Sequence, residues 1–291
     1  MLRNRILRLA GKKTWGIGGD GTQISSSEPE LKSQEVVQGM TFSTYSGNTE
    51  IRNKTISGVD FGGAQLRHLR LFEVTLLDCC FDDADLMDLR MWATDIKNCT
   101  FKNADLRGSG LGGLLGEKRN AFVNVDFTRA DMRRTAWTSA SLEHCLFKDT
   151  SLVGVNFWGS TFSHCTFEGE VRDVIFNRHM FKREDLPANT MDQIDFTKAR
   201  LHFVGFRRLK LDHVSFPQDS EHLVLTDYHR VLGRTISRLR DVDDPVAKKL
   251  VFFLSNGFKW TVEDQAQGIL NLADLRELGE SAPQLLLAAM R

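Results

Sequence analysis

Cysteine, histidine and serine side chains are the first places to look for chemistry in this chain. Cys79 and Cys99 stand twenty residues apart, as do Cys145 and Cys165, and Cys80 adjoins the first pair. His144 precedes Cys145 and His164 precedes Cys165, so a His-Cys step recurs at the same interval. Paired thiols form disulfides when their backbones approach, and thiolate with imidazole is an ordinary donor set for zinc. Ser109 sits between Gly108 and Gly110, the surroundings of a nucleophile elbow in miniature. Gly16, Gly18 and Gly21 match G-x-G-x-x-G, but dinucleotide binding by that motif needs a strand before it and a helix after it. A polar Gly/Ser segment follows instead. The GKKT at Gly11–Thr14 lacks the upstream glycine and the adjacent Lys-Thr of a phosphate loop.

The interval of twenty leads to the element that positions these groups. Every fifth residue from Ile51 onward reads Ile51, Ile56, Phe61, Leu66, Leu71, Leu76, Phe81, Leu86, Met91, Ile96, Phe101, Leu106 and Leu111. Two residues before each lies a second set, mostly small or β-branched, including Val59, Ala64, Val74, Cys79, Ala84, Thr94, Cys99, Ala104 and Ser109. A helix repeats every 3.6 residues and a strand every 2, so neither gives this pattern. The period resumes at Phe122, Phe127, Met132, Trp137, Leu142, Phe147, Leu152, Phe157, Phe162 and Phe167, and again from Phe176 through Phe181, Leu186, Met191, Phe196, Leu201, Phe206 and Leu211 to Phe216. The three ladders hold 32 repeats. Loops are expected near 112–121 and 168–175, marked by Gly112, Gly113, Gly116 and Gly169, and near 182–190. In the last of these Glu184 and Asn189 occupy slots for small apolar residues and Pro187 intervenes.

If each unit forms one side of a coil and turns a corner, four sides give a coil of twenty residues, and coils stack at the β-spacing of ~4.8 Å. Eight coils then make a rod of roughly 38 Å. The central and minus-two side chains point inward, and Phe61, Phe81 and Phe101 stack face over face. Core residues on this register include Leu66, Leu71, Leu76, Leu86, Met91, Ile96, Leu106, Phe127, Leu142, Phe147, Leu152, Phe157, Phe162, Phe196, Leu201 and Phe206. Aspartate at Leu86 or Phe101 should collapse the rod, whereas aspartate at Arg107 should be tolerated. Twenty phenylalanines against two tyrosines fit a core that wants flat rings without a hydroxyl to satisfy. The register also disposes of the opening candidates. Cys79, Cys99, Cys145, Cys165 and Ser109 all fall in minus-two core slots, where free cysteine serves as a small apolar side chain. With each Cys inward and each neighbouring His at a corner, four ligands cannot converge on one ion. Cys80, at a minus-one position, is left as a more exposed thiol.

Ala84-Asp85-Leu86, Ala104-Asp105-Leu106, Ala130-Asp131-Met132 and Val155-Asn156-Phe157 resemble the A(D/N)LXX units of the pentapeptide-repeat family. The resemblance covers about residues 49–218. It implies a right-handed quadrilateral β-helix, and it is far less specific for function. Better understood members bind type II topoisomerases such as DNA gyrase as duplex-DNA mimics, protect them from inhibitors, and dimerise through a C-terminal element. Others are delivered effectors or interaction scaffolds.

Charge tests the mimic reading. Acidic and basic residues number 38 each, so no global charge draws the chain to nucleic acid or an anionic membrane. Duplex DNA carries one negative charge per ~1.7 Å, so a rod of that length should present on the order of 22. Residues 49–216 hold 23 acidic and 23 basic residues. Glu73–Asp105 is acidic, through Asp78, Asp82, Asp83, Asp85, Asp88, Asp95 and Asp105, but the five-residue spacing of Glu73, Asp78, Asp83 and Asp88 makes a belt around the rod. Only Asp85 and Asp105 share the spacing of twenty that a stripe requires. Lys198, Arg200, Arg207, Arg208 and Lys210 form a basic band near the other end, with no surface aromatic interleaved. Of these two groups, Asp78, Asp82, Asp83, Asp85, Asp88, Asp105, Arg200, Arg207, Arg208 and Lys210 are the candidate partner-binding residues.

The organisation expected is an N-terminal extension, linker and cap over 1–48, a mainly β repeat rod over 49–218, and a helical capping or dimerisation region over 219–291. Residues 1–12 have the spacing of a short amphipathic helix. In the tail, Tyr228, Leu232, Thr235 and Leu239 share a helical face behind a Thr226 N-cap. Asp244-Pro245 opens a second helix closed by Asn256-Gly257. Thr261 and Asp264 resemble a capping box, and Asn271–Leu278 and Pro283–Met290 complete about four helices. Phe252, Phe253, Phe258, Trp260, Leu285 and Leu286 are the candidate dimerisation surface. No catalytic, metal or cofactor-binding residue is assigned. The reading is a non-enzymatic protein-interaction scaffold in a reducing cytoplasm, with a protein partner, a homodimer through the tail, and no membrane span. A topoisomerase-binding protein is the alternative, and an effector or enzyme with its activity in the tail stands third.

Overall fold

The computed structural model describes residues 50–180 and 185–291. The proposed helix at 1–12, the glycine motif at Gly16–Gly21, the N-terminal cap, Phe181 and Glu184 lie outside the described residues. Where the period of five runs, the chain is a four-sided β-solenoid of about eight turns with helices at its C-terminal end. Strands of three residues pair in parallel with the coil above at offsets of twenty, as Leu71 with Met91 and Leu142 with Phe162. The fourth side is tied by single bridges, such as Gln65 to Asp85 and Asp85 to Asp105, as is the third side in its first coils, from Asp60 to Cys80 and from Cys80 to Thr100.

Two of the sides each stack one kind of side chain. On the third side Phe61, Phe81, Phe101, Phe127, Phe147, Phe167, Phe196 and Phe216 form an unbroken stack of rings, with centroids 4.7 to 6.1 Å apart. The closest separations match the β-spacing of ~4.8 Å, because the backbone ladder sets the distance and flat rings fill it without a gap. The fourth side is aliphatic, with Leu86, Leu106, Met132, Leu152, Val171 and Leu201 all buried. Leu71, Leu76, Met91, Ile96, Leu142, Phe157 and Phe162 are buried on the other two sides, while Phe61, Leu66 and Phe206, near the ends of the described rod, are half-buried.

Polar minus-two residues repeat one hydrogen bond. Thr150, Ser109 and Ser160 donate to the carbonyls of Phe127, Leu86 and Trp137, each 23 residues earlier, at 2.8, 3.1 and 3.0 Å. Cys79, Cys145 and Cys165 point their thiols at the equivalent carbonyls at 3.6 Å. A small donor is therefore tolerated where Ala or Val would also fit, since the carbonyl beneath it has a lone pair to accept. Corners are turned by a residue in the left-handed region, as at Asn53, Asp78, Asn98, Asn103 and Asn124 with φ of 50 to 56°. Asn and Asp are the non-glycine residues best suited to it.

The irregularities differ from the expected loops. Between Leu111 and Phe122 six extra residues form a hairpin, Leu114–Leu115 against Lys118–Arg119, and the pairing offset becomes 26 at Asp95–Ala121. Asn120 re-enters the core fully buried, accepting from Thr94 N–H at 3.0 Å and donating to the carbonyls of Met91 and Leu111 at 2.9 Å. No loop occupies 168–175. Thr166–Arg172 is one strand that runs through the corner, with Val171 buried in the core slot only four residues after Phe167. Gly169, at φ 84°, passes so close to Asp149 that a Cβ there would lie 2.2 Å from its carboxylate. After Phe176 the next core unit is Met191, with Leu186 half-buried outside the stack, so among the described residues 31 units build the coils. Asn189 closes this return from a buried minus-two slot, accepting from Phe162 and Met191 N–H at 3.2 and 3.0 Å. Both excursions leave the rod at the corner between its first and second sides.

The tail contains four helices, α1 (Tyr228–Arg240), α2 (Pro245–Phe258), α3 (Leu272–Arg276) and α4 (Ala282–Met290). Asp244 caps α2 by accepting from Val246 and Ala247 N–H at 2.8 and 2.9 Å. Thr226 is not an N-cap. It ends a strand, His222–Thr226, that pairs antiparallel with Gln267–Asn271, a two-stranded sheet absent from the sequence reading. Thr261–Asp264 starts no helix. Leu232, Ile236, Leu239, Leu250, Leu254, Leu275 and Leu286 form a second core.

Tail side chains take up backbone groups at the end of the rod. Asn271 donates to Leu201 C=O at 2.6 Å, His222 accepts from Leu201 N–H at 3.0 Å, and Asp274 accepts from Phe203 N–H at 2.7 Å and meets His202 at 2.9 Å. Gln267 donates to the carbonyls of Leu211 and Val214, both at 2.7 Å. An open solenoid end would otherwise present these groups unpaired.

Candidate interaction surface

The acidic belt is first a feature of the backbone. Glu73, Asp78, Asp83 and Asp88 are corner residues with φ of 53, 52, 59 and 58°. Their spacing of five is the spacing of corners, and aspartate recurs there because it accepts the left-handed conformation. The three aspartates among them are also engaged. Asp78 and Asp83 accept from the Asn98 and Asn103 amides of the next coil at 3.0 and 2.9 Å. Asp82 accepts from Lys102 N–H at 2.8 Å. Asp88 is ringed by His68 Nδ1 at 2.9 Å, Arg70 at 2.8 Å and Arg90 at 2.5 Å. Burial works against the Asp88 carboxylate, but the hydrogen bonds from Arg70 and His68 outweigh it and hold its pKa below the usual range.

The structure also brings together a column that a fixed spacing of twenty misses. The hairpin insertion sets Asp131 over Asp105 at an offset of 26, so Asp85, Asp105 and Asp131 are bridged in succession along the fourth side. This is a real stripe of carboxylates, one per coil. Arginines interleave with it. Arg67 meets Asp85 at 2.5 Å, Arg107 grips Asp105 at 2.9 and 2.6 Å, and Arg133 grips Asp131 at 2.9 and 2.6 Å. Arg107 also reaches within 3.7 Å of Asp131. Bonding to Arg107 holds Asp105 low, and for Asp131 the bonds from Arg133 overcome an opposing burial effect. Three carboxylates face three guanidiniums, and the column is neutral. Arg107 is therefore not the indifferent surface position that the sequence reading assigns.

The basic band is likewise partnered in part. Lys198 joins Lys148 on Glu168 at 3.1 and 3.3 Å, and Lys210 is ion-paired with Asp264. Arg200 is exposed. Arg208 N–H donates to Trp260 C=O at 2.7 Å. The Arg207 guanidinium lies 4.5 Å over the Trp260 ring, so an aromatic from the tail does interleave with the band. Nothing in the spacing of 196–211 could show this, since Trp260 comes 53 residues after Arg207.

Cys79, Cys99, Cys145 and Cys165 are free and buried. The Cys79 hydrogen bond and burial both push the Cys99 thiol well up, and burial does the same for Cys145. Cys80 is half-buried, and desolvation raises its pKa too, which lowers its thiolate fraction and its reactivity. The His144 and His164 rings meet at a corner, tilted by 33° with centroids 4.8 Å apart, while Cys145 and Cys165 point inward. Among the described residues no group of three or more His, Cys, Asp or Glu is placed to hold a metal. No described helix is long and apolar enough to cross a membrane. Of the candidate dimerisation residues, Phe252 is 72% exposed. Phe253, Phe258, Trp260 and Leu285 are half-buried, with Phe258 stacked 4.5 Å from His229, and Leu286 is wholly buried in the tail core, where it has no surface to offer.

The family model described as pentapeptide repeats matches residues 138–169, in eight copies. The rod is built of pentapeptide repeats. Among solved structures it is similar to HetL, a pentapeptide repeat protein involved in heterocyst differentiation regulation from Nostoc sp. strain PCC 7120, at 16% identity over 59% of this chain and 90% of that one, with a TM-score of 0.35. It is also similar to QnrB1, a plasmid-mediated fluoroquinolone resistance protein, at 16% identity over 54% and 84% of the two chains, with a TM-score of 0.29. No curated protein matches the sequence.

Proposed function

We propose that this pentapeptide-repeat chain is a non-enzymatic scaffold for protein–protein interaction. The observation that carries the reading is the pairing of the rod's charges. Asp78, Asp83, Asp88, Asp105 and Asp131 are bound to neighbouring arginines and asparagines of the same rod, so this part of the regular surface is a stiff lattice of paired groups that holds its form without a ligand. Partner recognition then falls to what breaks the repeat: the hairpin at 114–119, the excursion after Phe176, and the helical tail. Buried free thiols suit a reducing compartment such as the cytoplasm. Affinity purification from the native host followed by mass spectrometry tests the proposal. A reproducible protein partner lost on deleting residues 113–118 supports it, and recovery of no partner beyond the background of an unrelated protein overturns it.

One observation favours the second reading, a DNA-mimic protein that binds a type II topoisomerase such as DNA gyrase. Asp85, Asp105 and Asp131 form the stripe that such a mimic requires. Against it stand the arginines that neutralise the stripe. A supercoiling assay separates the two readings: neither inhibition of gyrase nor protection from its poisons at micromolar protein removes the second. For a homodimer the tail offers Phe252 and Leu287, and light scattering across a concentration series measures it.

A further inference from the structure

The end of the rod is covered unevenly. Leu201, Phe203, Leu211 and Val214, on the other sides, give backbone groups to tail side chains. The first side ends differently. Its last strand, Gly205–Arg207, pairs with Ile175–Asn177 below it and with no strand above. Along the ladder a central residue donates its N–H to the next coil, as Met91 does to Gly110 C=O at 3.1 Å, and a minus-two carbonyl receives from it, as Leu69 does from Arg90 at 2.9 Å. Phe206 N–H and Val204 C=O are the equivalents in this last coil, and no further coil follows. Only the corner is supplied, where Trp260 C=O takes Arg208 N–H at 2.7 Å in the place of a next turn.

Above this edge lies a cavity of about 930 Å³, walled by the strand on one side and by α2 and Trp260 on the other. Phe206, Phe252, Phe253 and Ile269 supply apolar lining. Four cations also line it, Arg207, Lys248, Lys249 and Lys259, against one carboxylate, Asp274, which is committed to His202 and Phe203. Lys248 pairs with Asp243 at 2.7 Å. Arg207, Lys249 and Lys259 have no carboxylate partner among the described residues.

We infer that this groove receives an extended acidic peptide segment, which adds a strand to the open edge of Gly205–Arg207. Three features select that occupant together. The edge offers backbone groups at strand spacing, the walls offer apolar sockets for alternate side chains, and the rim offers cations for the carboxylates between them. Lys249 and Lys259 now reach only neutral oxygens, of Leu278 and Asn256 at 3.4 and 3.1 Å, so a compact apolar ligand would leave the edge unpaired and these cations without a carboxylate, and a basic segment would be repelled. The inference deepens the scaffold reading and rests on it only in expecting a protein partner.

Fluorescence anisotropy on the full chain tests it. The probe is a labelled ten-residue peptide alternating Glu and Val around a central Trp, compared with the same peptide carrying Lys for Glu and with one carrying Pro beside the Trp. The acidic peptide should bind, weaken as salt is raised, and lose at least about tenfold in affinity on the surface double change Lys249→Glu with Lys259→Glu. The proline peptide should also bind at least about tenfold more weakly, since a ladder N–H is gone. Equal binding of acidic and basic peptides, equal binding of the proline peptide, or no binding by chain of native circular dichroism each overturns the inference. So does a dimer that Phe252→Glu dissolves and that excludes the peptide, because a second copy then fills the groove. None of these results bears on whether the chain captures a partner elsewhere, which the purification above decides.

Discussion

Asn120 offers a sharp test of how the rod absorbs an insertion. It is fully buried in a slot that elsewhere holds Ala, Val, Cys or Thr, and it makes three hydrogen bonds, to Thr94 N–H at 3.0 Å and to the carbonyls of Met91 and Leu111 at 2.9 Å. The hairpin ahead of it carries the chain out of the coil, and these bonds close the gap in the ladder. Asn120→Ala removes all three. Each buried group left unpaired costs about 1–3 kcal/mol, so a loss of roughly 3–5 kcal/mol is expected after allowance for non-additivity. At about 2–4 °C per kcal/mol for a chain of this size, Tm should fall by roughly 10 °C. The control is Cys99→Ala in a minus-two slot of the third side, where the thiol, a weak donor, lies 3.2 Å from Lys97 C=O and 3.8 Å from Leu76 C=O and the change should cost about 1 kcal/mol, mostly as a small void. Differential scanning calorimetry measures both, and the Thr94 amide should exchange faster in Asn120→Ala alone. If Asn120→Ala melts within about 2 °C of the parent, or Cys99→Ala loses as much, the ladder is not closed by this side chain.

Leu86→Asp places an unpaired charge in the aliphatic column and should abolish the native circular dichroism; an unchanged melt would mean the register is wrong. Arg107→Asp should keep the fold but melt lower, by an amount that shrinks in high salt, because it sets a third carboxylate beside Asp105 and Asp131. Asp88, Asp105 and Asp131 have depressed pKa values, so the unfolded chain binds more protons than the native one as pH falls through the carboxylate range. Stability should therefore hold level above about pH 5 and drop below about pH 4. Asp88→Asn should flatten that drop in a denaturant titration against pH, and an unchanged slope would refute it. Ellman's reagent should titrate at most Cys80 in the native chain and all five thiols in denaturant; rapid reaction of a second native thiol would contradict the core placement.

The repeat and its consequences were legible in the sequence because the signal is periodic and local. A residue at every fifth position either faces the core or does not, so Phe61, Phe81 and Phe101 announce their stack and Cys79 and Cys99 their burial without reference to anything distant. The acidic residues at Glu73, Asp78, Asp83 and Asp88 were equally visible, though their cause is the left-handed corner, which is a matter of dihedral angle and not of charge. What the sequence could not supply is anything that depends on how many residues an insertion removes from the count. Six extra residues set Asp131 over Asp105, a four-residue step put Val171 into the core, and an excursion of uncertain phase took Leu186 out of it. The tail shows the same division. Helical periodicity located α1 and α2, but the pairing of His222–Thr226 with Gln267–Asn271 and the seating of Trp260 beneath Arg207 join residues far apart along the chain. Such contacts leave no local trace, so the open strand edge at Gly205–Arg207 and the groove above it belong to the tertiary structure alone.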